Sequence, residues 1–104
     1  MLFRSPAVAT CRTLELGCAA GGNLIPMAEA LPAAGFVGVD LSARQIDDGQ
    51  RLARAAGLTN VSLRHASITD VDDGYGTFDY IVCHGVYSWV PPDRKSTRLN
   101  SSHT

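Results

Sequence analysis

The sequence predicts an α/β fold, a parallel β-sheet flanked by helices. Three observations carry this expectation. Short apolar runs alternate with segments of helical period, a glycine-rich turn follows the first run, and an aspartate closes the second. Strand and helix in alternation argue a parallel sheet, because parallel neighbours need a crossover long enough to hold a helix.

Leu14-Glu15-Leu16-Gly17 is an apolar run stopped by glycine, the pattern of a buried strand. Asn23 then opens a helix with Leu24, Met27, Ala28 and Leu31 at i, i+3, i+4 and i+7, one core-facing stripe. Pro26 falls in the first turn, where backbone N–H groups have no intrahelical partner, and Pro32 falls where the helix should stop. Residues 36–40 form the second strand, ending on Asp40. Ser42, with Gln45 three residues on, has the capping-box form and starts a second helix. Its expected buried face is Ile46, Gly49, Ala53 and Ala56, with Leu52 beside them. Gly57 is placed for a left-handed C-terminal turn, with Leu58 as the hydrophobic contact after it. Val61 and Leu63 alternate with polar neighbours in a third strand. Residues 78–83 form a fourth, with Asp79 solvating its start. The Asp- and Gly-rich stretch 69–77 has no helical face and is expected to be a loop with a fragment of helix.

Composition sets outer bounds. The 104 residues are 45% hydrophobic and 18% charged, which suits one globular domain at most. No apolar run reaches the ~18 residues of a membrane span, and residues 1–6 lack the apolar core of a secretory signal. Cys11, Cys18 and Cys83 form no CxxC pair, and His65 and His84 are not spaced as metal ligands. The expectation is reduced thiols, no metal site and a cytoplasmic location. A formal charge of −1 gives no electrostatic reason to expect nucleic acid. From Asp93 the character changes: residues 93–103 resemble one reading frame of a short-read sequencing adapter. The chain's single lysine, Lys95, lies there, whereas the six earlier basic residues are all arginine. Residues 93–104 are therefore expected to be a non-native, disordered tail. Residues 1–92 would be the authentic part, mildly acidic with six arginines against nine acids.

In parallel α/β sheets, ligands bind beyond the C-terminal strand ends, where strand order reverses. Three segments arrive there: the turn after Leu16, Asp40, and His65-Ala66-Ser67-Ile68. Gly17 permits a tight turn, and Gly21 and Gly22 permit close approach of a ligand. A carboxylate at Asp40 can accept from both hydroxyls of a ribose. Two ligands fit. Gly17-Cys18-Ala19-Ala20-Gly21-Gly22 reads as a degenerate GxGxxG of a nicotinamide dinucleotide site, with Ala19 at the middle glycine. Glu15, however, would repel a pyrophosphate and attract an ammonium, which favours S-adenosylmethionine, a ligand with an ammonium, a sulfonium, a ribose and no phosphate.

The stretch Leu14-Glu15-Leu16-Gly17-Cys18-Ala19-Ala20-Gly21-Gly22-Asn23-Leu24 is similar to motif I, (E/D)xGxxxG, of the class I (Rossmann-like) S-adenosylmethionine-dependent methyltransferases. Val37-Gly38-Val39-Asp40-Leu41-Ser42 resembles that family's acidic strand-two ending, and Phe78-Asp79-Tyr80-Ile81-Val82 its fourth-strand motif. Together these cover residues 12–91 in order. More closely, Gly21-Gly22-Asn23-Leu24-Ile25-Pro26-Met27-Ala28 and His84-Gly85-Val86-Tyr87-Ser88-Trp89-Val90-Pro91 resemble a bacterial subgroup in which a methyltransferase regulatory domain follows, and some members of which methylate protein lysines.

The resemblance implies a partial Rossmann-like methyltransferase fold, a truncated piece with strand order 3-2-1-4 and the later strands missing. The outer edge of the fourth strand, along residues 80–83, would then be open. It implies that Glu15 and the Gly17 backbone face the methionine end of the cofactor, with Cys18, Gly21 and Asn23 of the same turn as further cofactor-binding residues. Asp40 would take the ribose hydroxyls, Leu41 the adenine face, and Ser67 and Ile68 the adenine edge. His84 would lie under the donor near the transfer channel. The family usually has Asp where this chain has Ser67, a neutral and weaker acceptor for the adenine amino group. Methyl transfer rests on proximity and alignment, so no acid–base pair is required and no catalytic residue is assigned. The acceptor, protein or small molecule, is not legible. The other readings are an NAD-dependent oxidoreductase and an inactive cofactor-binding remnant.

Overall fold

The computed structural model describes residues 8–91. Five strands form one sheet: β1 (Arg12–Leu16), β2 (Gly35–Asp40), β3 (Val61–His65), β4 (Tyr80–Cys83) and β5 (Val86–Trp89), in spatial order β3-β2-β1-β4-β5. The first four run parallel in the expected order 3-2-1-4. Helix α1 (Leu24–Ala30) joins β1 to β2, and α2 (Ala43–Ala55) joins β2 to β3. The 93–104 tail and its expected disorder lie outside the described residues.

Both helices pack on one face of the sheet. Right-handed crossovers that step the same way, β1 to β2 to β3, must lay their connections on the same side. There Phe36 and Leu63 meet Leu24, Ile25 and Ala28 of α1 and Ile46 and Ala53 of α2. The step from β3 back across β1 to β4 reverses direction, so its connection crosses the opposite face. That connection holds only two 3-10 turns, Ile68–Asp70 and Asp73–Tyr75, and it lays Val71 and Phe78 on Leu14, Val37 and Val39.

Local chemistry sets the boundaries. Ser42 Oγ accepts from Gln45 N at 3.2 Å and starts α2. Gly57, at φ +73°, ends it, with Leu58 N donating to Ala53 O at 3.0 Å. The Asn60 side chain donates to the carbonyls of Ala28, Leu31 and Ala34 at 3.0–3.1 Å, closing the C-terminal end of α1. The buried face of α2 is narrower than expected. Ile46, Gly49 and Ala53 are buried, but Leu52 is 56% exposed and Ala56 is exposed as well. The helix approaches along Gly49, where a Cβ would stand 2.5 Å from Leu63 Cδ1 and 2.6 Å from Ala20 O.

Two further expectations are corrected. The outer edge of β4 is not open. His84 and Gly85, at φ +52° and +78°, form a two-residue hairpin that folds β5 antiparallel onto it. Positive φ at both loop positions matches the twist of the strands they join. Asp79 does more than solvate a strand start: its Oδ2 accepts from Arg12 N at 2.8 Å. The Arg12 guanidinium donates to the carbonyls of Thr77 and Tyr75 and stacks over the Phe78 ring, its central carbon 4.4 Å from the ring centre. One arginine thus ties the long connection to the foot of β1.

Because the Gly49 contact includes backbone, it cannot relax by turning a side chain. Gly49→Ala is expected to destabilise the fold by roughly 1–3 kcal/mol through overpacking, despite alanine's better helix propensity. Urea unfolding checks it.

Candidate functional site

The glycine-rich turn is pinned to β2: Gly17 N and Cys18 N both donate to Val39 O, at 2.9 and 3.0 Å. Gly17, Ala19 and Gly21 take left-handed φ of 73°, 53° and 82°. The glycines divide their work differently from expectation. A Cβ at Gly21 would press on Ile25 and Leu63 at 3.0–3.2 Å, so this glycine serves the turn and the core. Gly17 and Gly22 face open space, and their backbone is what a ligand could approach. The Cys18 side chain is buried under the turn, against Gly38. Burial, with the Glu15 and Asp40 carboxylates adding to it, pushes its thiol up to about 12. Cys18 therefore offers a ligand its backbone alone.

Asp40 joins two segments. Its Oδ2 accepts from Ala19 N and its Oδ1 from Ser42 N, both at 2.8 Å. A carboxylate oxygen has two acceptor sites, so each keeps one for a further donor. Beside it lies a cavity of about 210 Å³ lined by Gly17, Val39, Asp40, Leu41, Ala66, Ser67 and Ile68. Leu41 and Ile68 present aliphatic side chains that are 74% and 47% exposed. The three segments singled out in the sequence thus converge, and Gly17, Asp40, Leu41, Ser67 and Ile68 meet at one cavity. Ser67 is already engaged there: its Oγ accepts from Thr69 N at 3.2 Å and pairs with Thr69 Oγ1 at 3.0 Å, while Ser67 N donates to Asp70 Oδ2 at 2.8 Å. This serine caps the 3-10 turn as well as lining the cavity.

Glu15 is only 4% exposed. Its Oε2 accepts from Asn23 Nδ2 at 3.0 Å, and its Oε1 is buried with no partner among the described residues. Asn23 makes no side-chain cap bond to α1; it holds the glutamate instead. Across the sheet, Glu15 pairs with Val82 and Val82 with Tyr87, one row on one face. The Tyr87 hydroxyl donates to Met27 Sδ at 2.9 Å, and its pKa is raised by burial and by Glu15. His84 follows β4, at the same sheet end as the turn, but in the exposed hairpin and outside the cavity. Sequence reasoning missed the individual roles of Ala19 and Ala66, two residues of the segments it had singled out, because they enter through backbone geometry and carry no signal of residue type. It also missed the β4–β5 hairpin, for which a glycine at Gly85 before Val86-Tyr87-Ser88-Trp89 was a readable sign. Among the described residues no three His, Cys, Asp or Glu side chains group to hold a metal, and no helix is long and apolar enough to cross a membrane.

Residues 13–103 match the family described as a methyltransferase domain. The chain belongs to this family. An uncharacterised protein of Rickettsia prowazekii (strain Madrid E) is 61% identical over 89 residues, which is 86% of this chain and 16% of that protein. The structure of PKMT2 from Rickettsia typhi in complex with AdoHcy superposes with a TM-score of 0.74 at 47% identity, covering 86% of this chain and 18% of that one. A tRNA (guanine-N(7)-)-methyltransferase of Chloroflexus aurantiacus (strain ATCC 29366 / DSM 635 / J-10-fl) is 32% identical over 80 residues, 77% of this chain and 34% of that protein. The methyltransferase domain described here thus spans less than a fifth of the first two relatives and about a third of the other.

A thiol raised to about 12 is protonated at every ordinary pH, and the thiolate is the reactive form. Iodoacetamide at pH 8 is therefore expected to leave Cys18 of the folded domain unmodified and to alkylate it in urea. Peptide mass spectrometry reads the difference, and native labelling at a free-thiol rate would contradict the burial.

Proposed function

We propose that this methyltransferase domain binds S-adenosylmethionine and belongs to an enzyme that passes its methyl group to a nucleophile. The observation that carries the reading is the unpartnered, buried Oε1 of Glu15. A buried carboxylate with an unsatisfied oxygen is costly and calls for a cation or a donor. The ammonium of the methionine moiety supplies both. A pyrophosphate beside the same carboxylate would be repelled, and nothing else in the site favours a dinucleotide.

The remaining residues fit the rest of the ligand. Asp40 keeps one acceptor site on each oxygen for ribose hydroxyls, while Leu41 and Ile68 offer apolar surfaces to a flat base. Ser67 Oγ stands at the cavity edge as a weak acceptor, and Gly17 and Gly22 leave their backbone open. Cys18, Gly21 and Asn23, taken in the sequence as ligand contacts, act in this reading by shaping the turn and steering Glu15. His84 is assigned to the rim of the acceptor channel. When bound, the cofactor supplies an electrophilic methyl carbon on sulfur; the domain's part is to fix the donor's direction and leave one side open to the acceptor. A protein lysine acceptor is the finer form of the proposal. It is supported by the resemblance of residues 21–28 and 84–91 to the regulatory-domain subgroup.

Glu15→Gln keeps the size of the side chain and its Asn23 bond but removes the charge. It is expected to weaken S-adenosylmethionine roughly 10- to 100-fold, the range for a hydrogen bond to a charged group. Methylthioadenosine, which lacks the ammonium, should bind the variant and the parent alike. Titration calorimetry on the full chain, with NAD as a third ligand, separates the readings. Tighter binding of NAD, or equal losses for both adenosyl ligands, would overturn the proposal.

A further inference from the structure

Leu41 is the single residue between the end of β2 at Asp40 and the Ser42 cap of α2. Its side chain lines the cavity yet is 74% exposed, so few contacts fix it and its place is set by its backbone. That backbone is held on both sides. Asp40 O accepts from Ala66 N at 3.1 Å, and Ser42 N donates to Asp40 Oδ1 at 2.8 Å. A further bond acts on Leu41 itself, whose carbonyl meets His65 Nε2 at 3.0 Å. A carbonyl only accepts, so Nε2 carries the proton in this contact. His65 is the last residue of β3 and the register partner of Asp40, so its imidazole reaches Leu41 from the neighbouring strand. It does not line the cavity.

We propose that His65 is a positioning residue of the cofactor site: by gripping the Leu41 carbonyl it holds the Leu41 side chain in place as one wall for the adenine ring. This rests on the S-adenosylmethionine reading above. Ordering an exposed aliphatic side chain and the short link that bears it costs conformational entropy. A strand-borne hydrogen bond meets part of that cost before the ligand arrives. The imidazole contributes no contact of its own to the ligand, so its effect must vanish when there is no side chain at Leu41 left to position.

A double-mutant cycle on the full chain tests this, with dissociation constants for S-adenosylmethionine from titration calorimetry. His65→Ala is expected to weaken binding about 3- to 10-fold, the loss of one hydrogen bond. His65→Gln, whose amide N–H can reach the same carbonyl, should restore most of it. In a Leu41→Ala background, His65→Ala should add less than about twofold, because residues acting as a unit are non-additive. An unchanged constant for His65→Ala would overturn the proposal. Equal losses in both backgrounds, with a lowered melting temperature, would also do so and would mark His65 as structural. If the parent chain does not bind S-adenosylmethionine at all, the underlying reading falls, and that result is seen before any variant is compared.

Discussion

Two backbone N–H groups, from Ala19 in the glycine-rich turn and Ser42 at the start of α2, converge on the Asp40 carboxylate. Hydrogen bonds to an ionised acceptor are about twice as strong as neutral ones. Here they bind the glycine-rich turn to the β2–α2 junction in one rim. Ala19 stands at φ +53°, a left-handed conformation that costs an L-residue about 1–2 kcal/mol. The bond to Asp40 offsets that strain. The same bond keeps the turn facing β2, where Gly17 N and Cys18 N share the Val39 carbonyl. Asp40 is thus structural before it is functional, and the acceptor sites it still offers are aimed by the bonds it already makes.

That rim forms where it does because the chain reverses its direction of travel across the sheet after β3. The crossovers through α1 and α2 fill one face; the return to β4 crosses the other. Between the diverging connections the C-terminal ends of β1 and β2 lie uncovered, and the cavity at Gly17, Asp40 and Leu41 is the space so left. The return connection contains no α-helix. It is held instead by Arg12 and Asp79 at its far end and by the Ser67–Asp70 cap at its near end, which keeps Ile68 at the cavity mouth.

Much of this was legible in the residues, and the gaps have physical causes. The four parallel strands and both helices followed from apolar period and from Pro32, Ser42 and Gly57, which act within a few residues of themselves, whereas the strand order came from the family resemblance. Convergence at the cavity followed from topology. What could not be read was direction: whether Gly21 or Gly22 faces the ligand depends on where a Cβ would point, which tertiary packing decides. Asn23 is an N-cap residue by type, yet its amide serves Glu15, eight positions back. Asp79 looked like a solvated strand start because its partner, Arg12, is distant in sequence. Leu52 is exposed because the close approach at Gly49 fixes the rotation of α2.

Glu15 shows how stability and binding are linked in such a domain. The folded chain satisfies one oxygen through Asn23 and leaves the other buried and unpaired, a defect worth about 1–3 kcal/mol against the fold. A glutamine there would remove the charge, and an apolar residue the defect, so stability alone does not account for a carboxylate at this position. A cationic ligand that completes the second oxygen removes the penalty and adds its own binding energy. Such a ligand binds only the folded state and stabilises it by RT ln(1 + [L]/Kd). The Tyr87 ring lies one strand beyond Val82 in the same row, anchored to Met27, and its pKa is raised by burial first and by the same carboxylate second. In the glycine-rich turn that follows Glu15, Gly17 and Gly22 face open space, so the backbone there stays accessible.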